Sequence, residues 1–257
     1  MLFGVRVFVV VPAYCEAPRI GKVLRGMPAF VDQVVVVDDA SPDATSERAA
    51  GERDARVTVL GHDRNRGVGA AIATGYRHAL GLAGGERDAI VVMAGDGQMD
   101  PRDLPALIEP LARGTAQYVK GNRFVWPGVR EIMPPLRRWV GLLFSRLTAR
   151  ATGLALDDSQ CGYTALARSA CEALDLEALW PRYGYPNDLL GQLATRGIVV
   201  AEVPVRPVYE GAPSGLRPWH ALRIAWLIAR AGARRVREER RQRANLRRSA
   251  SVTTAGA

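Results

Sequence analysis

Carboxylates stand directly after apolar runs at three places in the first hundred residues. Glu16 follows "VRVFVVVPAY", Asp38 and Asp39 close "DQVVVVDDAS", and Asp96 ends "DAIVVMAGD" between Gly95 and Gly97. Taken singly, each Asp is an ordinary turn or N-cap residue, positions that Asp favours. Taken jointly, with Asn65, Arg66 and Gly67 on the corner between them, they outline a site. Carboxylates accept from ribose hydroxyls and a base edge, and they bind hard divalent ions, which take oxygen ligands. A nucleoside diphosphate with Mg²⁺ or Mn²⁺ needs both. Gly95 and Gly97 let the backbone approach a bulky ligand.

Other reactive residues are less patterned. Lys120 and Arg123, in "KGNRF", follow a late strand and could face the same site. His62, His78 and His220 have no metal-ligand spacing, and His62 reads as a surface residue. Cys15, Cys161 and Cys171 are odd in number and form no CxxC pair, which fits a reducing cytoplasm better than a disulfide framework or zinc site.

The elements that must position these groups alternate between strand and helix. "VRVFVVVPAY", "DQVVVVDDAS", "RVTVLGH" and "DAIVVMAGD" read as strands. Helices are predicted over Pro18–Met27, over Pro42–Glu52 with Ser41 as N-cap, over Gly67–Leu82 and over Leu104–Arg113. The continuous Val-rich runs are the pattern of strands buried on both faces of a mainly parallel sheet. Such alternation predicts an α/β fold with helices covering the sheet, and ligands then sit beyond the carboxyl ends of the strands. The three carboxylate-bearing corners fall on that edge. A dinucleotide fold needs G-x-G-x-x-G after the first strand, but the sequence there is "VPAYCEAPRIG".

The 257 residues carry a net charge of +9 that is unevenly spread. Residues 217–257 hold eleven Arg and two Glu, so the body of the chain is neutral and the tail is basic. Such an appendage points to an anionic surface. On a helical projection Arg223, Arg230, Arg234, Arg237 and Arg241 share a stripe, Trp219 and Trp226 lie near it, and Ile224, Ile228, Ala225, Ala229 and Val236 lie opposite. That arrangement suits a helix lying on an anionic membrane. Nucleic acid is disfavoured, because no aromatic stacking platform accompanies the stripe. A second basic and apolar segment, 136–154, reads equally as a core helix or as an interfacial one. No export signal or membrane span is read, so a cytoplasmic protein held peripherally on the membrane is expected. The expected organisation is a catalytic domain over 1–210, a basic amphipathic helical extension over 211–245 and a disordered tail over 246–257.

In order along the chain, "VVVPAYCE", "VVVVDDASPDAT", "NRGVGAAIATGYRHAL", "VVMAGDGQMDP", "KGNRF", "DDSQCGYTA" and "YGYPNDLLGQLATRG" resemble the successive blocks of glycosyltransferase family 2. The branch they resemble is that of dolichol- or polyprenyl-phosphate mannosyl- and glucosyltransferases. The resemblance implies a GT-A fold, a nucleotide-diphosphate sugar donor, a divalent metal (Mg²⁺ or Mn²⁺) and inversion at the anomeric carbon. By that resemblance Pro12, Ala13, Tyr14, Glu16, Asp38, Asp39, Arg66, Gly67, Gly95 and Gln98 border the donor, and Asp96 is the retained metal aspartate. Its usual partner acid is replaced by Ala94. Lys120, Arg123, Asp158, Gln160, Gly162 and Tyr163 fall on the acceptor side. Asp188 falls where many relatives carry a catalytic base. A polyprenyl-phosphate acceptor is the leading expectation. The alternatives are a sugar-hydroxyl acceptor with Asp188 as base, or a non-catalytic nucleotide-sugar-binding relative.

Overall fold

A computed structural model describes the backbone of residues 1–208 and 218–255, and the side chains of 1–208 and 221–242. The chain alternates β1 (Val7–Ala13), α1 (Ile20–Arg25), β2 (Gln33–Asp38), α2 (Thr45–Gly51), β3 (Val57–Gly61), α3 (Val68–Leu82), β4 (Ala89–Val92) and α4 (Leu104–Ala112). It continues through β5 (Tyr118–Asn122), α5 (Val129–Ile132), α6 (Pro135–Thr152), β6 (Thr164–Ala167), α7 (Arg168–Glu172), α8 (Tyr185–Thr195), β7 (Val200–Pro204) and α9 (Pro218–Ala255).

One seven-stranded sheet runs in the order β3-β2-β1-β4-β6-β5-β7. β1 pairs in parallel with β2 and β4, β2 with β3, and β5 with β7, whereas β6 is antiparallel to both neighbours. The carboxyl ends of the parallel strands therefore share one edge with the amino end of β6. That reversal brings residues 158–163 to the edge that carries the ends of β1, β2 and β4. Every residue of β1 and β4 is buried, as is β2 from Val34 onward, which accounts for their unbroken Val runs.

The start of α2 differs from expectation. Asp38 accepts from both the N–H and the hydroxyl of Ser41, so Ser41 has no oxygen aimed at a helix N-terminus. Asp43 then accepts from the Thr45 N–H at 3.2 Å, and the helix starts at Thr45. At the other end, α9 continues through 246–255, where a disordered tail was expected. The stretch preceding it, "EERRQRAN", consists largely of strong helix formers. The Gly/Pro-rich break at 210–217, the side chains of Trp219 and His220, and residues 256–257 lie outside the described residues.

α9 packs on α6 and α8 through Ile224, Leu227, Ile228 and Ala231, all buried. Of the apolar side the projection marked, Ile224 and Ile228 are packed, whereas Ala225, Ala229 and Val236 are exposed, so the packed face is turned from it toward Leu227 and Ala231. Arg230 and Arg234 flank the packed face and reach the buried Asp188, at 3.6 and 2.7 Å. The basic stripe is thus partly turned inward, because an interior carboxylate draws in its counter-charges.

Candidate active site

Two adjoining cavities open along the carboxyl edge. The first, about 390 Å³, is walled by Pro12, Ala13, Tyr14 and Glu16 at and just beyond the end of β1, Asp39 after β2, and Asn65, Gly67 and Val68 at the start of α3. Ala94 and Asp96 line it after β4, as do Arg182, Tyr183 and Arg223. Acidic groups from the sheet edge and a basic wall from the 180–184 loop and α9 therefore share this cavity.

Asp39 builds the corner of this cavity before it can touch a ligand. Its Oδ1 accepts from the Arg66 N–H at 2.8 Å and its Oδ2 from the Gly67 N–H at 2.7 Å. Oδ1 also accepts from His62 Nδ1 at 2.6 Å, and Thr74 Oγ1 lies 3.0 Å from His62 Nε2. The His62 side chain is thus an interior partner of Asp39, not a surface residue. Gly67, at φ 101°, takes a backbone conformation that a side chain would resist. A Cβ there would stand 2.5 Å from the Pro181 carbonyl oxygen, and one at Gly69 would collide with the Trp180 carbonyl. These glycines let the 180–184 loop lie against the start of α3, where Ala70 donates its N–H to Pro181 at 3.0 Å.

Asp96 lines both cavities. Its Oδ1 accepts from the Gln98 N–H at 2.9 Å. Burial raises its carboxyl above the ordinary Asp range, partly opposed by that N–H and by Arg19. Glu16, on the same wall, is also raised, first by burial and then by the charge of Asp96. Arg19 opposes this through its 2.9 Å ion pair with Glu16. Two half-buried carboxylates that disfavour their own charge fit a nearby cation. Among the described residues no three His, Cys, Asp or Glu side chains converge on one point. A divalent ion at Asp96 would complete its shell from ligand oxygens and water, as Mg²⁺ commonly does.

The second cavity, about 360 Å³, shares Pro12, Val68, Ala94, Asp96 and Tyr183 with the first. Gln98, Gln160, Gly162 and Tyr163 line it, and Arg123, Arg137 and Arg206 make it basic. A small annex of about 90 Å³ leads from Arg123, Arg137 and Gln160 along Phe124, Met133, Val140 and Phe144. Arg123 is oriented by Asp158, which is wholly buried. Nε donates to Oδ2 at 2.8 Å, Nη2 to Oδ1 at 2.9 Å and the Arg123 N–H to Oδ2 at 3.1 Å. Burial alone would raise the Asp158 carboxyl, but Arg123 more than offsets it and leaves it below the usual range.

Several expected site residues have other work. Asp38 lines neither cavity and is engaged by Ser41. Arg66 contributes its backbone to Asp39 and lines neither cavity, and Gly95 packs beneath the site beside Ala13 and Ile20. Lys120 is buried, donates to the Cys161 carbonyl and does not reach a cavity. Asp158 acts through Arg123. Asp188 is also fully buried and lines neither cavity; it accepts from the Trp180 N–H at 2.9 Å and pairs with Arg234. A substrate proton is therefore out of its reach, and the base role drops out.

Arg137, Arg182, Tyr183, Arg206 and Arg223 were not expected at the site from sequence; Arg223 was read only as part of the basic stripe. The aromatic and Gly-rich "WPRYGYP" ahead of α8 was a usable signal for Arg182 and Tyr183. Arg206 and Arg223 had none, because the position of β7 and the docking of α9 place them.

Comparison with known proteins agrees with this geometry. Residues 8–175 match the family described as Glycosyl transferase family 2. An undecaprenyl-phosphate mannosyltransferase of Micrococcus luteus is 35% identical over 213 residues, covering 78% of this chain and 82% of the relative. A polyprenol monophosphomannose synthase of Mycolicibacterium smegmatis is 30% identical, over 78% of this chain and 76% of the relative. Glucosyl-3-phosphoglycerate synthase from Mycobacterium tuberculosis, solved with UDP, superposes with a TM-score of 0.67 over 90% of this chain and 81% of its own, at 21% identity. The same synthase has been solved with Mn²⁺, UDP and phosphoglyceric acid. The chain thus has the GT-A fold, and it belongs to glycosyltransferase family 2.

Proposed function

We propose that this glycosyltransferase moves a hexose from a UDP- or GDP-sugar to a polyprenyl phosphate at a membrane surface, with inversion. The observation that carries this reading is the composition of the second cavity. It has three arginines, and Asp96 is the one carboxylate among the described residues that line it. An anionic acceptor fits such a cavity. A phosphate monoester is largely dianionic near pH 7, with a second pKa of about 6, and needs no base to attack. A hydroxyl acceptor needs one within hydrogen-bond reach.

In this reading the nucleoside lies against Tyr14 and the Asp39 corner, and its diphosphate spans from Asp96 toward the basic wall. The sugar sits at the junction of the two cavities. Arg123, fixed by Asp158, holds the acceptor phosphate so that one oxygen faces the anomeric carbon. That oxygen forms the new C–O bond as the bond to the diphosphate breaks on the opposite side, releasing UDP or GDP. A divalent cation at Asp96, when bound, stabilises the charge that develops on the departing diphosphate. Incubation with a panel of UDP- and GDP-sugars tests the reading: nucleotide release should require a short-chain polyprenyl phosphate. Release without any lipid product would count against it.

The lipid side has its own support. α6 exposes Leu136 (76%), Trp139 (69%), Leu143 (54%) and Leu147 (39%) at spacings of three and four residues. Its other flank, through Val140 and Phe144, lines the annex that leads to Arg123. Exposed Arg146 and Arg150 on the same helix, with Arg237, Arg240 and Arg241 on α9, add charge for anionic lipid, about 1 kcal/mol per residue near the surface. Among the described residues no helix is long and apolar enough to cross a membrane. The pair Leu136→Glu and Trp139→Glu should abolish sedimentation with anionic vesicles and lower turnover of vesicle-embedded acceptor at least tenfold. Turnover of a water-soluble short-chain acceptor should be unchanged. Equal losses on both acceptors would assign α6 to the fold instead.

A further inference from the structure

The C-terminal helix is joined to the donor cavity at several points. Arg223 lines that cavity together with Arg182, Asp96 and Glu16. Its guanidinium carbon lies 5.6 Å from the ring centroid of Trp180. Trp180 in turn meets Trp226 edge to face at 5.5 Å, and Arg230 covers Trp226 at the same distance. Stacking engages the face of a guanidinium, and its N–H donors lie in the plane, directed outward.

The rotation of α9 is set further along. Arg230 and Arg234 lie seven and eleven residues beyond Arg223, which at 3.6 residues per turn places them about 20° to either side of it. Both converge on Asp188, which is fully buried. A buried carboxylate tolerates few arrangements of its counter-charges, so this contact fixes which way the shared face of α9 points. The same Asp188 accepts from the Trp180 N–H, tying the loop that carries Arg182 and Tyr183 to the same anchor.

We infer that Arg223 is a ligand of the donor's diphosphate, delivered by the C-terminal helix and aimed by the Arg234–Asp188 latch. Asp188 and Arg234 are then positioning residues. The inference rests on the nucleotide-sugar reading above and adds a binding residue and a latch to it. Its chemistry is that of a planar cation facing a polyanion whose other side is neutralised at Asp96. A basic group contributed by an element remote in sequence makes donor affinity depend on α9 being docked.

The test is calorimetric binding of UDP and GDP with Mg²⁺ to the full chain, alongside uridine and guanosine binding by saturation-transfer NMR. Arg223→Ala should raise the Kd of the preferred diphosphate about tenfold or more and leave the nucleoside unchanged, with Arg223→Lys intermediate. Arg234→Met should raise the diphosphate Kd severalfold by freeing the helix, with Arg234→Lys restoring part of it. An unchanged diphosphate Kd in Arg223→Ala overturns the inference. So does a parallel loss of nucleoside binding, because that is the mark of a purely structural residue. If the wild-type chain binds neither diphosphate, the nucleotide-sugar reading itself fails, which is a separate result.

Discussion

Asp96→Asn should lower kcat by roughly 10²-fold or more and remove the dependence on divalent cation, with the fold intact. The magnitude is that of losing one preorganised group that stabilises charge on a leaving group. The side chain lies at the junction of the two cavities, so its effect should fall on the chemical step more than on donor capture. The amide preserves shape and can still accept from the Gln98 N–H, so a failure to fold is not expected. The check is turnover against Mg²⁺ and Mn²⁺ concentration for both proteins. Wild-type turnover undiminished in excess chelator would contradict the metal role. Ala94→Asp, adding a carboxylate that faces the same two cavities, should tighten metal binding.

The next largest effect separates Arg123 from Asp188. Truncating Arg123 alone strands a buried Asp158, a defect that typically costs about 3–5 kcal/mol of stability. The paired variant Arg123→Met with Asp158→Leu removes both charges and should fold, since replacing a whole buried pair by apolar groups is often neutral. It should lower kcat/KM for the lipid phosphate by about 10- to 10²-fold, the equivalent of one charge-assisted hydrogen bond of about 1.5–3 kcal/mol. Asp188→Asn should lower the melting temperature and weaken donor binding modestly, with kcat/KM reduced less than tenfold. Loss of a general base would instead remove about 10² to 10⁴ of the rate. A loss of that size at Asp188 in folded protein, with little at Arg123, would promote a hydroxyl acceptor.

The legible parts of this molecule are those set by local pattern. Continuous Val runs marked β1 and β2 as strands buried on both faces, and carboxylates at their ends marked the ligand edge. Pro12, Ala13, Tyr14, Glu16, Asp39, Gly67 and Asp96 do line the first cavity. Arg123, Gln98, Gln160, Gly162 and Tyr163 line the second. What sequence could not show is which charges are already spent. Asp188 was expected where relatives carry a base and Asp158 on the acceptor side, yet each is buried against arginine from a distant element. Lys120 sits in the wholly buried strand β5, and nothing in its neighbours signals that its ammonium ends on a backbone carbonyl. The helical projection of α9 grouped the arginines and placed Ile224 and Ile228 on the buried side, but it also put Ala225, Ala229 and Val236 there, because α6, α8 and Asp188 decide which side packs.

The most direct test of the central claim compares acceptors that differ only in the head group. Wild-type enzyme, divalent cation and the preferred radiolabelled nucleotide-sugar are presented with a short-chain polyprenyl phosphate or with the corresponding polyprenol. The account predicts label in the lipid only with the phosphate, and an inverted anomeric configuration in the product. Comparable transfer to the free alcohol would contradict a phosphate acceptor held by Arg123.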